Sequence, residues 1–265
     1  MSIKPHVQSG DAQIKSQREA AAERVINYFG VCLPESELLC FLDDEDPSTL
    51  RNSPSLGPAN RGLYMPIHDN TVLDGWPSYV TNCIRPSDRI GRRTRVIDDF
   101  VYLYGTTCVD EVGLTMTLAH ELQHSIQHAQ VRKLWAANSL VRKLDKKVID
   151  ALNLKWSNIP TEVEARIVSK CVGECLLGEQ RVNQYIDRKI AERITDDDAD
   201  DWEFIRTLTP SDSVDLASST QLLFELLKGC RPELEALLRK VKQTGNPDFT
   251  DIDLDAFFVP PRTAK

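Results

Sequence analysis

LTMTLAHELQHSIQHAQ, residues Leu114–Gln130, decides how the rest of the chain is read. Inside it, His120-Glu121-Leu122-Gln123-His124 forms the pattern H-E-x-x-H. On an α-helix, residues four apart lie nearly one above the other on the same face. Two imidazoles at that spacing reach one metal ion. Glu121 flanks the same face and can hydrogen-bond a water on the metal without being a ligand itself. A zinc ion lowers the pKa of such a water towards about 7, and a carboxylate beside it can carry the proton to a leaving amine. Leu114, Leu118, Leu122, Ile126 and Ala129 recur at helical spacing, and Val131 and Trp135 continue the stripe begun by the histidines. A helix apolar on opposite sides is an interior helix, and interior histidines need partners. Histidine is scarce, five in 265 residues, so this pair reads as a metal site rather than a solvated charge pattern.

A catalytic zinc takes three protein ligands and keeps one position open. His128 extends the four-residue series but stands eight residues from His120, about 12 Å along a helix axis. Zinc–nitrogen bonds are near 2 Å, so His128 is expected beside the site or in the core. Gln127 and Gln130 hold the positions where an extended H-E-x-x-H-x-x-G-x-x-H motif needs glycine and histidine. The third ligand is therefore expected from a later element, and NIPTEVEARIVSK, residues Asn158–Lys170, is the best candidate. Pro160 and Thr161 read as a helix start. Thr161 and Glu164 match the capping box T-x-x-E, which leaves Glu162 as the freer carboxylate. Glu164 is the alternative ligand in the other register.

HELQH followed by a helix carrying E-x-x-A resembles the gluzincin class of zinc metallopeptidases, in which a downstream helix supplies a glutamate ligand. The likeness spans roughly residues 95–180. It implies a zincin-like fold, Zn2+ held by His120, His124 and Glu162, and Glu121 as the catalytic residue of an endopeptidase acting on a protein or peptide. Many members of that class read E-x-x-A-D. Here Glu162-Val163-Glu164-Ala165 fit and Arg166 stands in place of the aspartate, which usually orients a ligand histidine. Some other group must do that work in this chain. An oxyanion donor is also expected, with Tyr185, Arg181, Arg166 and His68 as candidates. The alternative function is a non-catalytic regulatory module with a structural zinc.

Composition narrows the classes. A hydrophobic share of 41% and a charged share of 27% fit an ordinary globular protein. A net charge of −8 and a pI near 5.2 argue against nucleic acid, whose phosphates need clustered Lys and Arg. The sequence holds no apolar run of the roughly 20 residues that span a bilayer. The first residues carry no hydrophobic leader. Seven cysteines, an odd number without a tight framework, fit a reducing compartment. The expectation is a cytoplasmic protein with no membrane partner, and export without a leader would leave the same signs.

The fold expected is α+β and mostly helical, with a small sheet near residues 60–105 packed on the HELQH helix. Residues 1–110 would hold N-terminal helices and that sheet, 111–245 the helical zinc-binding region and 246–265 a tail, all within one integrated domain. Residues 1–10 read as irregular, Asp11–Phe29 as an amphipathic helix stopped by Gly30, and Pro34–Leu42 as a second helix. Residues 47–70 read as loop. The acid run Asp43–Pro47 reads as a solvated loop. Val96–Tyr104 is the clearest strand, either an edge that pairs with substrate or a buried structural one. The central helix is expected to run to about Ala137. Arg142–Lys147 reads as a solvated basic face. Helices follow at Glu179–Ile194, Asp200–Leu208, Val214–Leu227 and Pro232–Val241, with an acidic turn at Asp196–Asp200. Cys171 and Cys175 share a helix face and read as packing. The final stretch reads as an untethered tail.

Overall fold

A computed structural model describes residues 5–33, 38–43, 62–67, 76, 78–84, 99–192 and 196–258. Four strands make one mixed sheet in the order β1 (Pro5–Gln8), β2 (Leu38–Asp43), β4 (Asp99–Tyr104), β3 (Gly62–Pro66). β1 and β4 both pair parallel with β2. β3 alone runs antiparallel, with Tyr64 opposite Val101 and Gly62 opposite Leu103. The other regular elements among the described residues are helices: α1 (Ala12–Phe29), α2 (Ser78–Ile84), α3 (Glu111–Gln130), α4 (Arg132–Val141), α5 (Lys146–Ala151), α6 (Pro160–Leu177), α7 (Glu179–Glu192), α8 (Asp196–Thr207), α9 (Leu216–Leu226), α10 (Arg231–Gln243) and α11 (Pro247–Thr250), with short 3-10 turns between some of them. The architecture is α+β and mainly helical, as the sequence suggests.

β4 is buried along its whole length because both faces are covered. Val101 and Leu103 point to the large core with α1 and α3, while Phe100, Tyr102 and Tyr104 point to a smaller aromatic core with Phe41, Trp76 and Val80 of α2. Alternate side chains of a strand face opposite ways, so a sheet covered on both sides needs apolar residues at every position. That corrects the reading of Val96–Tyr104 as an edge: β4 is central, and its structural reading holds. Residues 96–98 lie outside the described residues. β3 is the last strand in the order.

Further expectations change. Gly62–Pro66, inside the stretch read as loop, forms β3 by pairing with β4. Pro5–Gln8 is not irregular, because it finds hydrogen bonds on β2. Residues 38–43 form a strand rather than a helix. Sandwiched between β1 and β4, they gain more from pairing and two-sided burial than from helical propensity. The acidic stretch from Asp196 forms the first turn of α8. Asp43 is no solvated loop residue either, since it accepts hydrogen bonds from Tyr79 and Tyr102. The rest of that acid run, residues 44–47, lies outside the described residues.

α3 is the axis of the molecule. Asp110 caps it by accepting from Val112 N and Gly113 N. One flank packs along α1, another along α6, and a third under β3 and β4. The expected single helix to Ala137 breaks at Val131, whose backbone leaves the helical region at φ −130° and ψ 43°. The break redirects α4, so Trp135 meets His128 at 4.7 Å and Tyr64 at 6.2 Å between ring centroids. Residues 246–258 of the expected tail are packed, and 259–265 lie outside the described residues. Phe249, Ile252, Leu254 and Phe257 join the same core as Val7, Val101 and Leu122. Buried Asp248 meets His128 Nε2 at 2.8 Å and Arg132 at 2.9 Å. Among the described residues no helix is long and apolar enough to cross a membrane.

Candidate metal centre

α3 and α6 lie side by side and bring three groups together. The Nε2 atoms of His120 and His124 stand 3.1 Å apart. Glu162, in the first turn of α6, places Oε2 3.3 Å from His120 Nε2 and Oε1 3.3 Å from His124 Nε2. Among the described residues these three are the group that can hold a metal ion. Ligand atoms at about 2.0–2.1 Å from a tetrahedral zinc ion stand roughly 3.3–3.4 Å from one another. The imidazole pair, and each imidazole with the Glu162 oxygen nearest to it, are separated by close to that distance, and one atom from each residue can be chosen within 4.8 Å of the others. His120 is partly exposed, whereas His124 and Glu162 are buried, so the trio opens on its His120 side.

The buried carboxylate carries a further sign. Glu162 Oε1 is sealed from solvent and accepts no hydrogen bond. His124 Nε2 stands 3.3 Å away and Arg142 Nη1 forms an ion pair with it at 2.9 Å, but no N–H is aimed at it. Unsatisfied buried polar atoms are uncommon, and one beside two imidazole nitrogens suits a cation. The donor set, two imidazoles and a carboxylate, matches a zinc site with an open position.

The tautomer of His124 follows from its neighbours. Gln127 Nε2 donates to Thr161 O at 2.9 Å and to Glu164 Oε2 at 2.7 Å. Both are acceptors only, which fixes the orientation of the amide. Gln127 Oε1 thus faces His124 Nδ1 at 2.8 Å, so Nδ1 carries the proton and Nε2 keeps its lone pair for the metal. Gln127 takes up the orienting work left open by Arg166. Glu164, also bonded by Gln123 Nε2 at 3.1 Å, anchors the amide and is not a ligand. The expected capping box is absent: the helix starts at Ile159 without a side-chain cap, because Glu164 is turned towards α3.

Glu121 is buried between α3 and β3. A Cβ placed on Gly62 would fall 3.2 Å from Glu121 Cγ and Oε1 and 2.8 Å from Thr117 Cγ2. Only glycine lets the strand come this close. The charges are strongly coupled. Burial alone would lower the His124 pKa, but the carboxylates of Glu162 and Glu121 outweigh it and hold the imidazole above its usual range. Burial alone would raise the Glu162 pKa, but the Arg142 charge and the two histidines hold it well below the usual carboxylate range.

Two arginines converge on Glu162. Arg166, one turn along α6, reaches Oε2 at 3.2 Å and pairs with Asp201 at 2.9 Å. Arg142 comes from the end of α4, and its guanidinium stacks 3.9 Å from the ring centroid of Trp156. This corrects the solvated reading of Arg142–Lys147 for its first residue. Of the candidate oxyanion donors, Arg166 alone is brought to the trio. Tyr185 packs on Trp202 and close to Gly113, about two turns before His120. Arg181 pairs with Glu111 at 2.6 Å. His68 lies outside the described residues. Sequence reasoning missed Gln127 and Arg142. Gln127 had a signal, since residues three apart on a helix are neighbours. Arg142 had none, because the break at Val131 brings it back. No family model, no curated protein and no solved structure matches the chain.

Proposed function

We propose that this chain is a zinc-dependent peptidase of the zincin type, with His120, His124 and Glu162 as metal ligands and Glu121 as general base and acid. One observation carries the reading: two imidazole nitrogens 3.1 Å apart, each 3.3 Å from one oxygen of the same buried carboxylate, with His124 fixed in the metal-binding tautomer by Gln127. A zinc ion held there would supply Lewis acidity towards a carbonyl oxygen and make water more acidic. The chain's own residues would do the rest. Glu121, one residue from a ligand and against β3, is placed to accept a proton from water and return it to the departing amine. Among the described residues β3 is the last strand of the sheet, antiparallel to β4, and its outer edge would be the backbone on which an extended peptide lies. The closeness of Gly62 to Glu121 sets that edge beside the general base.

The test is metal content and cleavage of a denatured protein substrate by purified protein. The parent should hold one zinc per chain and cleave. Glu121→Gln should hold the same zinc and lose nearly all cleavage. Equal cleavage by both would overturn the mechanism. A second reading, a metal-binding module without catalysis, draws on Arg142 and Arg166, which compensate Glu162 without any metal. It requires a closed site with a fourth protein ligand, which X-ray absorption on the zinc-loaded protein would reveal.

A further inference from the structure

We propose that Arg142, stacked on Trp156 and followed by Lys143, forms a carboxylate-binding subsite, so that the preferred bond lies next to a carboxylate of the substrate. The inference rests on the peptidase reading and adds a substrate class to it. Its starting point is what Arg142 does not do. The guanidinium carries five N–H donors. It lies 2.9 Å from Glu162 Oε1, yet that oxygen accepts no hydrogen bond. Among the described residues its contacts are this misaligned approach and the face of Trp156.

Stacking holds the guanidinium plane while leaving its N–H edges free. The side chain is 27% exposed, so those edges are within reach from outside. Only the Glu162 carboxylate separates them from the imidazole of His124. An anion there would sit one residue's reach from the metal. A divalent ion at the trio, with Arg142 and Arg166, would balance the four carboxylates of Glu121, Glu162, Glu164 and Asp201. The charged groups that reach outward are then Arg142 and exposed Lys143, and Lys143 has no carboxylate partner among the described residues. Cations at an entrance draw anionic ligands and repel cationic ones. Planar carboxylate meets planar guanidinium through two parallel hydrogen bonds, a match that favours carboxylate over a neutral carbonyl.

The probes are succinate and butyrate, which differ by one carboxylate in place of a methyl group. On zinc-loaded protein, isothermal titration should give succinate at least ten-fold tighter binding than butyrate. Arg142→Gln should reduce that preference below three-fold; because it also removes an ion partner of Glu162, the two probes are compared at full zinc occupancy and well below the variant's own melting range. Arg142→Lys should keep part of it, since a point charge remains but the two-pronged geometry is lost. Trp156→Leu, at a half-exposed position that tolerates change, should lower it with the guanidinium intact. Equal binding of the two probes by the parent, or an undiminished preference in Arg142→Gln, overturns the subsite and leaves the metal centre standing.

Peptide pairs then separate the two sources of the carboxylate. Loss of cleavage on amidating the C-terminus assigns a chain end, and loss on a Glu→Gln change beside the cleaved bond assigns an acidic side chain. Indifference to both overturns the proposal. Zinc uptake with no hydrolysis would sink the peptidase reading alone, because the succinate preference still decides the role of Arg142. Failure to take up zinc would sink both.

Discussion

Gln127 accepts the Nδ1 proton of His124 at 2.8 Å from the next turn of the same helix. The amide cannot turn round, because its Nε2 is engaged by two oxygens of α6. An intrahelical bond therefore sets a ligand's tautomer, and the neighbouring helix sets that bond. Groups in this position typically affect metal affinity 10- to 100-fold. Gln127→Leu should weaken zinc binding by about that factor with the helix intact, measured by competition with a chromophoric chelator. Unchanged affinity would show that His124 needs no orienting partner.

The two glutamates of α6 should separate cleanly. Glu162 touches both imidazoles, whereas Glu164 touches only the glutamine amides of α3. Glu162→Ala should abolish stoichiometric zinc. Glu164→Ala should weaken it by about ten-fold, the low end of the range for an orienting group. Zinc content and chelator competition on both variants give the order, and the reverse order would move the ligand to Glu164.

Gly62 is a packing prediction that needs no metal. Its missing Cβ faces Thr117 Cγ2 at 2.8 Å, and a β-branched side chain on a helix has little freedom to move aside. Gly62→Ala should destabilise by roughly 1–3 kcal/mol, the usual cost of an overfilled contact. Adding Thr117→Ser removes the offending methyl and should recover more than half of the loss. Additive effects in urea unfolding would contradict the contact.

The sequence carried the metal trio because two of its members sit at fixed helical spacing and the third opens a helix marked by Pro160. It carried α1 as well, through Asp11 and Gly30, which cap that helix at its two ends. Local pattern could not carry what depends on distant partners. β1 and β2 are strands because each finds the other. Glu164 abandons a cap because Gln127 waits on another helix. Arg142 returns to Glu162 only because α3 breaks at Val131, where neither glycine nor proline announces a stop.

Asp110 ties the start of α3 to pH. Its partial burial works towards a raised pKa, but Arg188 and the amides of Val112 and Gly113 win, and the carboxyl lies below its usual 3.8. A depressed folded pKa means a contribution fully present above the unfolded value and lost as pH falls through the folded one. Asp110→Asn retains an acceptor for the cap, so it should match the parent once pH has fallen below the depressed pKa of Asp110 and fall behind it above the ordinary 3.8. Melting temperature against pH reads the difference. A constant gap at every pH would mean that the charge has no part in the cap's strength.

The last prediction concerns the C-terminal segment and the far end of α3. Asp248 is buried against His128 Nε2 and Arg132, and His128 Nδ1 lies 2.9 Å from the hydroxyl of Tyr64, which itself donates to Asp99 at 2.8 Å. One chain of polar contacts thus runs from the C-terminal segment through α3 into β3 and β4. Removing a buried acceptor leaves the donors that faced it without a partner, which costs about 1–3 kcal/mol. Asp248→Ala should therefore cost about 1–3 kcal/mol, and amide exchange should quicken over residues 246–258. Truncation after Gly245 should cost more, since it also uncovers the faces against which Phe249, Ile252, Leu254 and Phe257 pack, at about 1.5–3 kcal/mol for each large apolar side chain. Zinc stoichiometry should survive Asp248→Ala, because His128 is no ligand and His124 takes its orientation from Gln127 instead. Loss of zinc together with the contact would mean that the brace at His128, and not Gln127, sets the geometry of the metal trio.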